Sequence, residues 1–189
     1  MVKLGFIVEG HSEKILFRSD AFSNYMKSLN IDFIPEIIDA KGNGNLLPHH
    51  ISEFTEILKD RGATNIFIIT DLDNDECVTK TKERIDSPDH QCIISRKTIE
   101  AWMLADTEAM RNFLGSEDYI CTDPESFDNP FEEIKKQRKY YRNKGLNDKK
   151  MLARNILGCG LSFEKIAANP ACSSAQYFHK KLIQLSTNS

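Results

Sequence analysis

The chain has 189 residues, of which 40% are hydrophobic and 28% are charged. This length and composition allow one globular domain with a full hydrophobic core. No apolar run is long enough to span a bilayer, which argues against a membrane protein. Its five cysteines are odd in number, widely spaced and never arranged as C-x-x-C, which argues against a disulfide framework or a zinc ribbon. Glu9 stands where a secretion signal would still be apolar, so we expect a cytoplasmic protein with reduced thiols.

The first half of the chain alternates strand and helix patterns. Short apolar runs predict strands at residues 3–8, 31–38, 65–70 and 90–95. Pro35 favours an edge position for the second strand. Ser12 and Pro48 mark helix starts, and another helix passes through Trp102. The alternation predicts a Rossmann-like α/β fold, with a mostly parallel four-stranded sheet flanked by helices.

Beyond residue 106, strand patterns are absent and helix signals remain. Helix starts are predicted at Asp106, Pro130, Lys149 and Ser173, the last as a capping box with Gln176. We therefore predict an α/β core over residues 1–106 and a helical C-terminal region over residues 107–189 that packs on the core.

Acidic residues follow two of the predicted strands. Glu9 comes directly after the first, and Asp71, Asp73 and Asp75 come after the third. Ligands of open α/β sheets bind beyond the carboxyl ends of the strands, and clustered carboxylates repel each other unless a cation lies among them. Oxygen-only ligands favour Mg²⁺ or Mn²⁺. The pattern predicts a metal site, although a helix-capping Glu9 and a polar aspartate turn are the simpler alternatives.

The order of these acids resembles the TOPRIM domain, which is shared by topoisomerases, bacterial primases, recombination-repair proteins and OLD-family nucleases. The matching motifs are Val8-Glu9-Gly10 after the first strand and Asp71-Leu72-Asp73 after a later strand, within residues 3–105. The chain has no Walker A motif, and it is too short for the tyrosine-bearing domain of a topoisomerase. It also lacks the cysteine spacing of a primase zinc module.

Further residues are similar to the OLD-like nucleases and to small bacterial TOPRIM-like proteins. In those proteins a second glutamate follows the first, and a later Ser/Glu element follows the Asp-x-Asp. The resemblance implies that Glu13 is that second glutamate. It also implies that Glu100, with Ser95 or Thr98, is the later element, in a string that runs to Trp102.

The resemblance implies an Mg²⁺- or Mn²⁺-dependent phosphodiesterase, a nuclease acting on DNA or RNA. Its implied metal ligands are Glu9, Glu13, Asp71, Asp73, Asp75 and Glu100. Its implied catalytic residues are Glu9, Asp71, Asp73 and Lys149, with Lys97 as the alternative lysine. Two such metals would stabilise the attacking and leaving oxygens of a phosphodiester.

Related proteins occur beside ATPases in phage-defence loci, so the resemblance also implies a possible defence effector with a partner ATPase. Two alternatives stay open. One is a catalytically silent TOPRIM-like module that binds an ATPase partner or a nucleotide. The other is a phosphotransfer enzyme that acts on small nucleotides.

A basic segment between residues 135 and 150 has eight basic residues and one acid, a local charge of +7 in a chain of net charge −3. The residues predicted to bind nucleic acid there are Lys135, Lys136, Arg138, Lys139, Arg142, Lys144 and Lys150. Tyr140 and Tyr141 are interleaved with them and suit base stacking. A charge-rich solvated helix is the alternative interpretation.

Overall fold

A parallel sheet lies at the centre of the computed structural model, which describes residues 2–73 and 75–187. Its strands are β1 (Lys3–Val8), β2 (Asp32–Phe33), β3 (Ile38–Asp39), β4 (Asn65–Asp71) and β5 (Gln91–Ser95). The order is β2-β1-β4-β5, with β3 also paired to β1, and every pairing is parallel. The predicted α/β class and mostly parallel sheet are therefore confirmed.

The second predicted strand, at residues 31–38, is instead two short strands. β2 pairs with the start of β1, where Lys3 lies opposite Asp32, and β3 pairs with its end, where Val8 lies opposite Asp39. Pro35 lies between them and has no backbone N–H to donate to a ladder, which accounts for the interruption.

Helices connected by loops and turns form most of the rest of the described chain. Their bounds are α1 (His11–Phe17), α2 (Asp20–Ser28), a 3-10 turn (Asn43–Asn45), α3 (Pro48–Asp60), α4 (Val78–Ile85), α5 (Glu100–Ala105), α6 (Thr107–Leu114), α7 (Pro130–Arg142), α8 (Lys149–Gly158), α9 (Phe163–Ala168) and α10 (Ser173–Thr187). None of the helices in the described ranges combines the length and apolar character needed to cross a bilayer.

Most predicted helix starts are confirmed, and the first is wrong. Pro48 and Pro130 open their helices, and the Asp106 side chain accepts a hydrogen bond from the backbone N–H of Ala109. Ser12 is not an N-cap, because α1 begins at His11 and Ser12 is buried inside the helix. The segment that follows forms two helices, α1 and α2, rather than one.

The sheet is covered on both faces, which explains why its strands are almost wholly apolar. Alternate side chains of β1, such as Phe6 and Ile7, belong to two separate hydrophobic clusters. α3 and α4 cover one face. α1, α2 and the helices from α5 to α10 supply the cluster on the other face, where Phe178 of α10 contacts Phe6. The C-terminal helices and the sheet therefore share one hydrophobic cluster.

The start of α10 is capped from a distance. The buried carboxylate of Glu125 accepts hydrogen bonds from the backbone N–H groups and the hydroxyls of Ser173 and Ser174, and Trp102 Nε1 donates to Ser174 Oγ. Glu125 therefore fills the role that the sequence predicted for a local capping box with Gln176. An acid near a helix N-terminus stabilises its unpaired N–H groups in the same way wherever it lies along the chain.

Candidate functional site

Four carboxylates converge beyond the carboxyl ends of β1 and β4. This carboxylate cluster consists of Glu9, Glu13, Asp71 and Glu100, and Lys149 lies beside it. Its members come from the ends of β1 and β4 and from the first turns of α1 and α5. Helix α1 packs against α8, which brings Lys149 to the same place. Five residues that the sequence singled out are thus brought together.

Glu9 bridges the two central strands. β1 and β4 are paired in register with Val8 opposite Ile69, so the residue after β1 lies beside the end of β4. Glu9 Oε2 accepts hydrogen bonds from Thr70 Oγ1 at 2.6 Å and from the backbone N–H of Asp71 at 3.1 Å. Both bonds go to one oxygen, so the protein fixes the orientation of the carboxylate through Oε2.

Asp71 is buried at the end of β4, opposite Ser95 of β5. Its Oδ1 accepts hydrogen bonds from Ser95 Oγ and from the backbone N–H of Ile99 at 2.8 Å. Burial, and then repulsion from Glu13 and Glu100, raises the pKa of Asp71 well above its usual range. An acid in this position ionises readily only if positive charge comes close to it.

Glu13 lies in the first turn of α1 and is also buried. Burial is the main cause that raises its pKa to about 7, and repulsion from Glu100 and Glu9 adds to it. Gly10 keeps room for this side chain, since a Cβ at that position would lie 3.2 Å from Glu13 Oε2.

Glu100 is the most enclosed member of the cluster, with 0% of its surface exposed. It opens α5 directly after Ile99, whose backbone N–H binds Asp71. Lys149 Nζ lies 3.1 Å from Glu100 Oε2 and forms an ion pair, whereas Glu100 Oε1 has no hydrogen-bond partner in the described part of the chain. A buried carboxylate oxygen without a hydrogen bond is costly, and such an atom calls for a functional explanation.

Lys149 supplies positive charge at the open side of the cluster. Its side chain is 44% exposed while that of Glu100 is fully buried. Burial alone would lower the pKa of Lys149, but attraction by Glu100 and Asp71 outweighs it and raises the pKa. The alternative lysine, Lys97, pairs instead with Asp128 at 3.0 Å. The geometry therefore favours Lys149 of the two lysines.

Asp73 and Asp75 lie at the edge of this arrangement. Asp73 is exposed, has a positive φ of 47°, and accepts only a long 3.5 Å hydrogen bond from Asn43 Nδ2 among its described neighbours. Asp75 Oδ2 accepts hydrogen bonds from Thr81 Oγ1 and Arg84, so its carboxylate is engaged by α4. The expected ligation by Asp75 therefore has no support in the geometry.

One acid at the same sheet edge escaped the sequence analysis. Asp39 ends β3 opposite Val8, and its Oδ2 lies 3.4 Å from His11 Nδ1. The strand-end rule that selected Glu9 applies to Asp39 as well, because it follows the apolar pair Ile37-Ile38. Its Oδ1 accepts a hydrogen bond from the backbone N–H of Lys41, so both of its oxygens have partners within the chain.

The basic segment forms most of α7 and the loop that leads to α8. Lys135 and Lys136 make i,i+3 pairs with Glu132 and Glu133 on the helix surface. Lys139, Lys144 and Lys150 are exposed, and Tyr140 is 79% exposed. This surface presents positive charge to solvent, which both the predicted contact with phosphates and the alternative of a solvated helix require.

The donor chemistry of the carboxylate cluster suits a hard divalent cation. All its donors are oxygens, and Glu100 offers one buried oxygen, Oε1, that no described residue satisfies with a hydrogen bond. Within residues 2–73 and 75–187, however, no three His, Cys, Asp or Glu side chains are already placed to hold one metal ion. Side-chain rotation toward a cation is therefore required for binding.

Comparison with known proteins does not assign the chain to a family, because no family model, curated protein or solved structure matches it. The resemblance to TOPRIM proteins accordingly rests on the motifs quoted above.

Proposed function

We propose that the protein is a divalent-metal-dependent nuclease that hydrolyses phosphodiester bonds of DNA or RNA at the carboxylate cluster. The observation that carries the proposal is the convergence of Glu9, Glu13, Asp71 and Glu100 with Lys149 at the carboxyl ends of β1 and β4. Ligand sites of open α/β sheets lie at this edge. Perturbed pKa values among buried acids mark such places as functional.

Three of the carboxylates would hold Mg²⁺ or Mn²⁺ through oxygens that the protein leaves available. Glu9 and Asp71 each receive their described hydrogen bonds on one oxygen, which leaves the other oxygen available to a ligand after side-chain rotation. Glu100 has Oε1 available, while Oε2 pairs with Lys149. When bound, the metal would polarise a phosphoryl oxygen and promote formation of a nucleophilic hydroxide.

Lys149 and Glu13 have separate roles in this proposal. Lys149 is partly exposed beside the cluster, so its ammonium group can neutralise charge that builds on the phosphate in the transition state. Glu13, whose pKa is about 7, can hold or release a proton near neutral pH, as general acid–base groups must. Asp73, which is exposed at the edge of the site, would contact the metal or the substrate from the solvent side.

The test is incubation of the purified protein with DNA and RNA substrates, including transfer RNA, in magnesium, manganese or EDTA. We expect cleavage only with metal, and none from the Asp71→Ala/Asp73→Ala double variant. Cleavage that persists in EDTA or in the folded double variant would reject the assignment.

A second function is favoured by a different observation. Lys149 already places a positive charge against Glu100, and Ser95, Thr70 and backbone N–H groups already bind the other acids. These contacts engage Glu9, Asp71 and Glu100 without a metal. The arrangement therefore also suits a catalytically silent module that binds a partner ATPase or a nucleotide. Such a module would give no metal-dependent cleavage, and Mn²⁺ would bind equally weakly to the protein with or without Glu100.

A further inference from the structure

A cavity of about 350 Å³ lies between the end of α6, the end of α7 and the second half of α8. Four basic residues line it, Arg138, Arg142, Lys144 and Arg154, and none of its described lining residues is acidic. The described part of the chain offers no ion pair to any of the four cations. Such a concentration of unpaired positive charge in a concave site favours an anion.

Arg138 is held in place but incompletely bonded. Its guanidinium lies over the Phe113 ring, with Cζ 4.7 Å from the ring centroid. Its Nε and Nη1 atoms are buried and have no hydrogen-bond partner in the described residues. Those two donors are enclosed by protein, so Arg138 contributes to the cavity through its charge.

Arg142 is fixed by the end of α6. Its Nη2 donates to the carbonyl of Asn112 at 2.9 Å, where a cation is favoured by the helix C-terminus. A Cβ at Gly115 would lie 2.5 Å from Arg142 Nη2, so a glycine there lets the guanidinium lie against the chain. Gly115 also has a φ of +65°, which glycine adopts without strain.

Helix α8 connects this cavity to the carboxylate cluster. Lys149 at the start of α8 lies at the cluster, whereas Arg154 and Gly158 of the same helix line the cavity. At about 1.5 Å per residue, these positions lie roughly 8 to 14 Å along the helix axis from Lys149. That distance is on the order of a few nucleotides, since the rise of duplex DNA is about 3.4 Å per nucleotide along its axis.

We propose that the cavity binds a backbone phosphate of the nucleic-acid strand a few nucleotides from the bond that is cleaved. Arg142, Lys144 and Arg154, which are exposed, would contact the phosphate oxygens, and Arg138, whose Nε and Nη1 atoms are buried, adds positive charge to the lining. The proposal rests on the nuclease function, adds Arg154 to the predicted nucleic-acid surface, and gives that surface a defined binding site.

The experiment is fluorescence anisotropy of a labelled single-stranded 12-mer in EDTA at low salt, so that binding is measured without metal or cleavage. Lys144 and Arg154 are both exposed, and we expect the Lys144→Gln/Arg154→Gln variant to bind about tenfold more weakly than wild type. The slope of log binding constant against log salt concentration should become shallower by about 1.4, which is about 0.7 for each lost phosphate contact. Arg138→Gln should also weaken binding. The matched control is Lys27→Gln/Lys59→Gln, which removes two exposed charges from α2 and α3.

Two results would overturn the proposal. One is oligonucleotide binding by the Lys144→Gln/Arg154→Gln variant that equals binding by the Lys27→Gln/Lys59→Gln control. The other is displacement of the 12-mer by AMP at equal phosphate concentration, which would make the cavity a small-nucleotide pocket. Arginine-dependent binding without any metal-dependent cleavage would instead count against the nuclease function and leave the cavity assignment standing.

Discussion

Asp71→Asn is expected to lower metal-dependent cleavage by about 10³-fold, because it removes a negatively charged ligand from the centre of the carboxylate cluster. A bound metal contributes several kcal/mol of charge stabilisation in the transition state, and each 1.36 kcal/mol is about tenfold in rate. Ser95 Oγ and the backbone N–H of Ile99 can still donate to the remaining carbonyl oxygen, so the fold should be retained. Initial rates at saturating Mn²⁺ measure the effect.

The matched control is Asp60→Asn, the same chemical change at an exposed position near the end of α3. It should cleave at the wild-type rate. If Asp71→Asn is folded, as judged by its circular dichroism and melting temperature, and cleaves as fast as Asp60→Asn, then Asp71 does not take part in the chemistry.

Glu13→Gln is expected to stabilise the metal-free protein by on the order of 3 kcal/mol above neutral pH. Burial and repulsion from Glu100 and Glu9 raise the pKa of Glu13 from 4.5 to about 7, so the folded protein bears the cost of an ionised buried acid. The amide carries no charge to repel. Urea unfolding in EDTA measures the gain, and Glu56→Gln, at an exposed site on α3, is the matched control.

The gain from Glu13→Gln should depend on pH in a defined direction. Below pH 4.5 the carboxyl group is protonated in both states, and the variant and the wild type should differ little. Between pH 4.5 and about 7 the unfolded chain releases the proton while the folded chain retains it, so wild-type stability falls. Above pH 7 the difference levels off. A gain that is constant from pH 4 to 8 would show that ionisation is not its cause.

Parallel strands made the centre of the site predictable from sequence. The carboxyl ends of adjacent parallel strands meet at one edge of the sheet, so Glu9 and Asp71 were expected to meet although 61 residues separate them. The resemblance to TOPRIM proteins added Glu13, Glu100 and Lys149, and the fold brings these to the same edge. Their roles in metal binding and catalysis stay predictions.

The sequence pattern could not predict the direction in which loop side chains point. In a run of alternating aspartates, nothing local distinguishes Asp71, which turns inward to Ser95, from Asp75, which turns to Thr81 and Arg84. Those partners lie in elements that come later in the chain. Asn74, in the same run, lies outside the described residues.

Long-range hydrogen bonding explains other differences. The start of α10 was assigned a local capping box, but Glu125, 48 residues before Ser173, binds its N–H groups. A cavity also cannot be recognised from a local stretch of sequence. Arg138 belongs to a basic run that suggests a solvated helix, and only tertiary packing on Phe113 buries part of its guanidinium.

We propose above all that the carboxylate cluster binds a divalent cation. Calorimetric titration of the metal-free protein with Mn²⁺, repeated with the Glu100→Gln variant, tests this most directly. Wild type should bind one or two ions, and a metal concentration about 100 times the Kd should stabilise it by about 2.7 kcal/mol. Glu100→Gln should bind at least about tenfold more weakly, because the fully buried carboxylate supplies charge that the amide lacks. Glu117→Gln, at an exposed position, should match wild type. Equal Mn²⁺ affinity in all three proteins, or no binding to wild type, would contradict the claim.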